Sequence, residues 1–217
     1  MWVAGGGGMN HPCVARRPSP VARRPSPVAR RRMRQIQQEL YQQLRAELVA
    51  SRERIMDMVR PIDGSRLNEH PEPNGWSVAQ VLEHLSKSND LYEMPMRQLL
   101  SRTRRDAAAP AREWKTSFIG GMIAKSLSNP KPIKRGPPAF GPGPTPRAGI
   151  VQAFHDGELR FLQAMDDAIQ YDWRAVRIAS PALPSWAPKM NLGDGFRIHS
   201  VHLTRHARQI ERLVSKL

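Results

Sequence analysis

From Arg34 to about Arg60 the apolar residues Ile36, Leu40, Leu44, Leu48, Ile55 and Met58 recur mostly at three- and four-residue steps, with Gln, Arg and Glu between them. That spacing puts one apolar stripe along an amphipathic helix, and Pro61-Ile62-Asp63-Gly64 ends it. A polar loop through Pro71, Pro73, Asn74 and Gly75 leads to a second helix starting at Ser77. Ser77 is followed three residues later by Gln80, the pattern of a capping box, and Trp76 and Val81 suit the flanking hydrophobic staple. Val78, Val81, Leu82, Leu85, Leu91 and Met94 give this helix an inward face towards Ser101 or Arg105, with Pro95 predicted to kink or split it. A weaker helical piece spans about Ala111–Lys125. Residues 126–147 hold seven prolines and three glycines and read as a loop, either a lid over a site or partly disordered. A third long helix is predicted from about Arg147 to Tyr171, through Ile150, Val151, Phe154, Leu162, Met165 and Ile169. After the Pro/Trp-rich stretch Pro181 to Asn191, the last helix runs from Gly195 or Phe196 to Leu217. Strand alternation of useful length is absent. Four long amphipathic helices with long irregular connections predict an all-α, four-helix bundle.

The N-terminal segment does not fit that pattern. Val14-Ala15-Arg16-Arg17-Pro18-Ser19-Pro20 recurs as Val21-Ala22-Arg23-Arg24-Pro25-Ser26-Pro27 and begins again at Val28. Two prolines in each repeat exclude a coiled coil, and the lack of large apolar side chains excludes a core, so residues 1–32 are expected to be a disordered, partly polyproline-like arm. Its readings are a binder of nucleic acid or an acidic surface, a targeting peptide, a tail without function, or a translated upstream repeat with Met33 as the true start. The last two are preferred, because Met33 directly precedes the first helical pattern and no apolar targeting region follows the arginines. The expected division is therefore an arm over 1–32, read either as a tail without function or as lying outside the native protein, and a bundle domain over 33–217.

Charge changes the picture less than its total suggests. The 217 residues carry 34 Lys and Arg against 19 Asp and Glu, a net +15, which on its face points to nucleic acid. Seven of those arginines lie in residues 1–32, which contain no acid; setting them aside leaves +8 on the rest. Neither a recognition helix, an aromatic stacking platform nor a zinc-finger spacing is present to support nucleic-acid binding. The single cysteine, Cys13, excludes a disulfide framework. A mean hydropathy of −0.55 and the absence of a long apolar run predict no membrane span, and a cytoplasmic protein is expected.

The candidate chemistry lies in the histidines, at 11, 70, 84, 155, 199, 202 and 206. His202 and His206 are four apart, one turn above the other on the inward seam of the last helix, and can face one metal ion. His84 sits mid-helix between Leu82 and the apolar Leu85 side. Alone it reads as a core histidine, but with the pair it makes a three-histidine facial site with open positions for water or substrate. His199 is read as a neighbour or rim group rather than a ligand, His155 as an exposed helix residue, and Glu83 as pointing about 100° away from His84.

The stretch Gly75-Trp76-Ser77-Val78-Ala79-Gln80-Val81-Leu82-Glu83-His84-Leu85 resembles the second-helix start of the DinB-like superfamily. His202-Leu203-Thr204-Arg205-His206-Ala207-Arg208-Gln209-Ile210 is similar to its H-x-x-x-H-x-x-Q-I signature. The resemblance covers residues 34–217. It implies an up-and-down bundle with a long second-to-third connection, a homodimer, and a divalent metal, zinc or nickel among others, held by His84, His202 and His206. It also implies a small-molecule substrate and relatives that include bacillithiol and mycothiol S-transferases and hydrolases. The expected function is a metal-dependent enzyme that activates a low-molecular-weight thiol or water; the alternative is a non-catalytic metal- or ligand-binding bundle of stress-response type. Catalytic side chains are not assigned beyond the water or thiol at the metal, and Arg205, Arg208, Lys131, Lys134 and Arg135 are candidates for attracting an acidic thiol or substrate.

Overall fold

A computed structural model describes residues 35–129, 137–146 and 148–217. The repeat arm with His11 and Cys13, and Lys131, Lys134 and Arg135 of the long loop, lie outside the described residues. The elements in chain order are β1 (Gln35–Ile36), α1 (Gln37–Val59), α2 (Gly64–Leu67), α3 (Val78–Leu100), β2 (Glu113–Trp114), α4 (Phe118–Ser128), α5 (Ile150–Asp167), β3 (Arg177–Ile178), β4 (Met190–Asn191) and α6 (Leu192–Val214). The strands form two minimal antiparallel pairs: Gln35 opposite Trp114 in β1–β2, and Arg177 opposite Asn191 in β3–β4.

The long helices α1, α3, α5 and α6 make the predicted all-α bundle, and side-chain pairs give their directions. Glu47 accepts from Ser200 at 2.6 Å, Ser51 meets Thr204 at 3.1 Å and Arg54 reaches Glu211 at 2.6 Å, so α1 and α6 run the same way. Asn89 bonds Glu158 at 2.9 Å and Arg97 pairs with Asp167 at 3.5 Å, so α3 and α5 also share a direction. Tyr41 bonds Asp166 at 2.8 Å and Gln37 bonds the Ile169 carbonyl at 2.9 Å, so α1 opposes α5. The sense along the chain is thus up, down, down, up. Parallel neighbours need a long connection between them, and Leu100 and Ile150, the end of α3 and the start of α5, stand 50 residues apart in the chain.

Boundaries differ from the periodicity reading where caps are set from a distance. α6 begins at Leu192, earlier than expected, because the Asn191 side chain accepts the Asp194 N–H at 2.8 Å as N-cap. Asn191 is held there by Trp114 Nε1–H at 3.1 Å and by the Lys115 carbonyl at 2.8 Å. The weaker helix is displaced to Phe118–Ser128, because the chain first forms a short 3-10 turn, Ala109–Ala111, and then β2. Ser117 caps α4 through the Gly120 N–H, and the buried Asp194 accepts from Thr116 Oγ1 at 2.6 Å and the Ser117 N–H at 3.0 Å. A Cβ on Gly120 would collide with that carboxylate, so glycine is required where α4 meets α6.

α3 runs unbroken through Pro95, whose ring is exposed, so the missing N–H costs a bond only on the solvent side. Its inward stripe turns after Leu85: Met94, expected as bundle filling, is 61% exposed, while Met96 is buried. Buried Asn89 and Glu93 take inward positions in that stretch, which an apolar count does not register. None of the described helices is long and apolar enough to cross a membrane.

Candidate metal centre

The site follows from two helix starts. In α3 the Ser77 hydroxyl accepts the Gln80 N–H at 3.1 Å and Gln80 Oε1 accepts the Ser77 N–H at 3.0 Å, as the sequence pattern predicts. This fixes the phase of α3, and about two turns later His84 faces the interior, beside fully buried Leu82 and Leu85. In α6 the Asn191–Asp194 capping box does the same for His199, His202 and His206. His84 and His206 are buried and His202 is half-buried.

The three rings meet edge to edge. His84 Nε2 lies 2.9 Å from His202 Nε2, and His206 Nε2 lies 3.0 Å from the same atom. Ring centroids are 4.5 to 4.9 Å apart, with interplanar angles of 62° to 89°. Trp76 covers one side of His84 at a centroid distance of 5.0 Å.

The outer nitrogens fix what the inner ones can do. His84 Nδ1 is 2.7 Å from the Phe140 carbonyl and His206 Nδ1 is 2.8 Å from Gln209 Oε1. Both partners are acceptors, so both Nδ1 atoms carry the proton, and both neutral rings present a bare Nε2 lone pair. His202 Nε2 lies between those two lone pairs and has at most one hydrogen to offer. At least one buried acceptor is then unsatisfied, at a cost of roughly 1–3 kcal/mol. A cation shared by the three nitrogens removes that cost. Two imidazole nitrogens on a tetrahedral zinc, each at ~2.0–2.1 Å, stand about 3.3 Å apart, close to the spacing seen. The residues therefore fit a divalent metal, and His84, His202 and His206 form a cluster that could hold one.

Electrostatics agree with that fit. Burial drives the His202 imidazole well below its ordinary value, and His206, His84, His199 and Arg205 lower it further. His206 is pushed down to about 3, chiefly by burial and then by His84, against the opposing bond to Gln209. Burial also lowers His84, partly offset by its bond to the Phe140 carbonyl. The imidazoles are thus held neutral, the form that ligates metal.

Other sequence candidates fall outside the cluster. His199 is 3% exposed, and its Nε2 bonds Glu158 Oε2 at 3.1 Å while its ring stacks on Phe161 at 3.7 Å. It is a neighbour one turn away. His155 is half-buried, not exposed, with a buried Nδ1. Glu83 accepts the Gly143 N–H at 3.0 Å and pairs with Lys87 at 3.3 Å, so it faces away from the cluster. Arg205 bonds the carbonyls of Leu127 and Asn129 at the end of α4, and Arg208 is exposed. His70 bonds the Gly75 carbonyl at 2.9 Å on the surface.

Two partners escaped the sequence reading. The Phe140 carbonyl is a backbone atom from a distant loop and carries no side-chain signal. Glu158 is 1% exposed and bridges His199 to Asn89. A carboxylate on the apolar stripe between Phe154 and Phe161 was its visible mark.

A family model described as the DinB superfamily matches residues 47–210. Neither a curated protein nor a solved structure gave a significant match.

Proposed function

The chain belongs to the DinB superfamily, and from that premise we propose that His84, His202 and His206 bind a divalent metal ion, zinc or nickel, at the centre of a metal-dependent enzyme acting on a thiol or on water. The reaction class is thiol S-transfer or hydrolysis of a small molecule. The observation that carries this reading is the convergence of three Nε2 atoms, two of them with the proton already assigned to Nδ1.

When bound, such an ion supplies Lewis acidity that makes a thiol or water nucleophilic near neutral pH. The chain's own residues do the rest. His84 and His206 aim their lone pairs inward because the Phe140 carbonyl and Gln209 hold their outer protons. Trp76 and Phe140 flank the His84 ring, with centroids at 5.0 and 6.4 Å. Three protein ligands, with no carboxylate in the cluster among the described residues, match an open catalytic site better than a closed four-ligand structural one.

The same reading takes residues 33–217 as the working domain and the protein as a cytoplasmic homodimer. The test is a cobalt-loaded full-length protein titrated with several low-molecular-weight thiols. A shift in its visible spectrum supports an open site. A spectrum unmoved by every thiol and by added anions favours the non-catalytic metal-binding alternative.

A further inference from the structure

Along one face of α3, four side chains at three- and four-residue spacing grip a single short segment. Gln80 Nε2–H donates to the Gly143 carbonyl at 3.1 Å, and Glu83 Oε2 accepts the Gly143 N–H at 3.0 Å. His84 Nδ1–H donates to the Phe140 carbonyl at 2.7 Å, and Lys87 donates to the Gly141 carbonyl at 2.9 Å. Phe140 is buried, with its ring 6.4 Å from both His84 and Tyr92. The backbone at Pro137 (φ −56, ψ 138) and Gly141 (φ −64, ψ 139) is polyproline-like on either side of a short 3-10 turn. The turn's own bonds, Phe140 N–H to Pro137 O and Gly141 N–H to Pro138 O, stay within the segment.

We propose that residues 137–146 are a strap latched onto α3 by His84, and that strap closure and metal occupancy stabilise each other through the two nitrogens of that ring. This rests on the metal reading above. The strap contacts α3 through side chains and one buried ring rather than through helix or sheet bonds, so it belongs to the readily opened part of the structure. A cation at His84 Nε2 requires the Nδ1–H tautomer, which is the one the Phe140 carbonyl accepts. The cation also withdraws charge from the ring and makes Nδ1–H a stronger donor. Linkage then requires the converse: a closed strap raises the affinity of the cluster for metal by the same factor.

The experiment is hydrogen–deuterium exchange on the full chain with and without zinc, alongside calorimetric zinc titration of the wild type and Gly143→Pro. That substitution removes the strap's N–H to Glu83, changes no charge and touches no cluster residue. The expected result is at least ~10-fold slower exchange in peptides covering 137–146 when zinc is bound, and ~10-fold weaker zinc binding in the variant, within the range for partners one bond removed from a metal. Zinc binding to the wild type with unchanged exchange at 137–146 would overturn the coupling and leave the metal reading standing, whether or not the variant folds. No zinc binding by the wild type would overturn the metal reading and the coupling with it.

Discussion

His84 and His202 belong to different helices, and their Nε2 atoms face each other at 2.9 Å across the interior between α3 and α6. Two neutral imidazoles can share one hydrogen across that distance, but a third ring, His206, closes on the same atom at 3.0 Å, where no second hydrogen is left to meet it. A cation among the three nitrogens would relieve this, and the outer bonds to the Phe140 carbonyl and Gln209 leave the inner lone pairs of His84 and His206 free to meet it. Each prediction below follows from one part of this construction.

Gln209 fixes the tautomer of His206, so Gln209→Leu is expected to weaken zinc binding by roughly 10- to 100-fold while leaving the fold intact. Gln209→Glu keeps an acceptor at that place and should lose much less. Competition with a chromophoric chelator reads both values, and equal affinity for Gln209→Leu and the wild type would remove Gln209 from the site.

In the metal-free protein the depressed histidines make stability fall as pH falls. An unfolded His takes up a proton near its ordinary pKa of about 6.5, whereas folded His206 stays neutral down to about 3. Above about 6.5 neither state binds that proton and the contribution is nil. Below it the unfolded state is favoured by up to about 1.4 kcal/mol per pH unit for each such group. Urea unfolding in chelator at pH 7 and pH 5 should show this loss, and His206→Gln should show a shallower slope. Identical slopes would mean that His206 titrates normally in the fold.

Glu158 holds His199 and Asn89 together inside the bundle. Glu158→Ala leaves both polar groups buried without that partner and is expected to cost about 3 kcal/mol or more, whereas Glu158→Gln keeps the shape and an acceptor and costs less. Denaturant midpoints at pH 7 separate the two. A Glu158→Ala protein as stable as the wild type would show that the pair contributes nothing net.

Asn191 caps α6 and also satisfies Trp114 Nε1–H and the Lys115 carbonyl. Losing a cap costs about 1 kcal/mol and an unsatisfied buried donor about 1–3 more. Asn191→Ala should therefore lower stability by roughly 2–4 kcal/mol, measured in the same unfolding experiment, and a loss below ~0.5 kcal/mol would rule out the cap as an anchor.

What was legible in the chain was what short-range chemistry writes there. Ser77 and Gln80 announce a helix start three residues apart, and that start determines which way His84 points. His202 and His206 share a face by spacing alone. The apolar stripes of α1, α3, α5 and α6 suffice for an all-α bundle. Features set by distant partners stayed hidden. Asn191 begins α6 early because Trp114 and Lys115 hold it from more than 70 residues away. Glu158 sits inward because it bonds both His199 and the Asn89 amide N–H, and Asn89 is buried to meet it, so a count of apolar residues misread the stripe of α3 and turned Met94 inward. The Phe140 carbonyl acts through its backbone, which no residue pattern encodes. The parallel run of α3 and α5 shows only in pairs such as Asn89 with Glu158, 69 residues apart, and an apolar stripe carries no signal of a helix's direction.

The most direct test of the account is metal content per chain, measured on full-length wild type, His84→Ala, His202→Ala and His206→Ala after identical zinc loading and dialysis. The account predicts one equivalent of zinc in the wild type and a loss of at least ~100-fold in affinity in each variant, beyond the 10- to 100-fold typical of removing an outer partner. Equal zinc content in the wild type and in folded His84→Ala would contradict it.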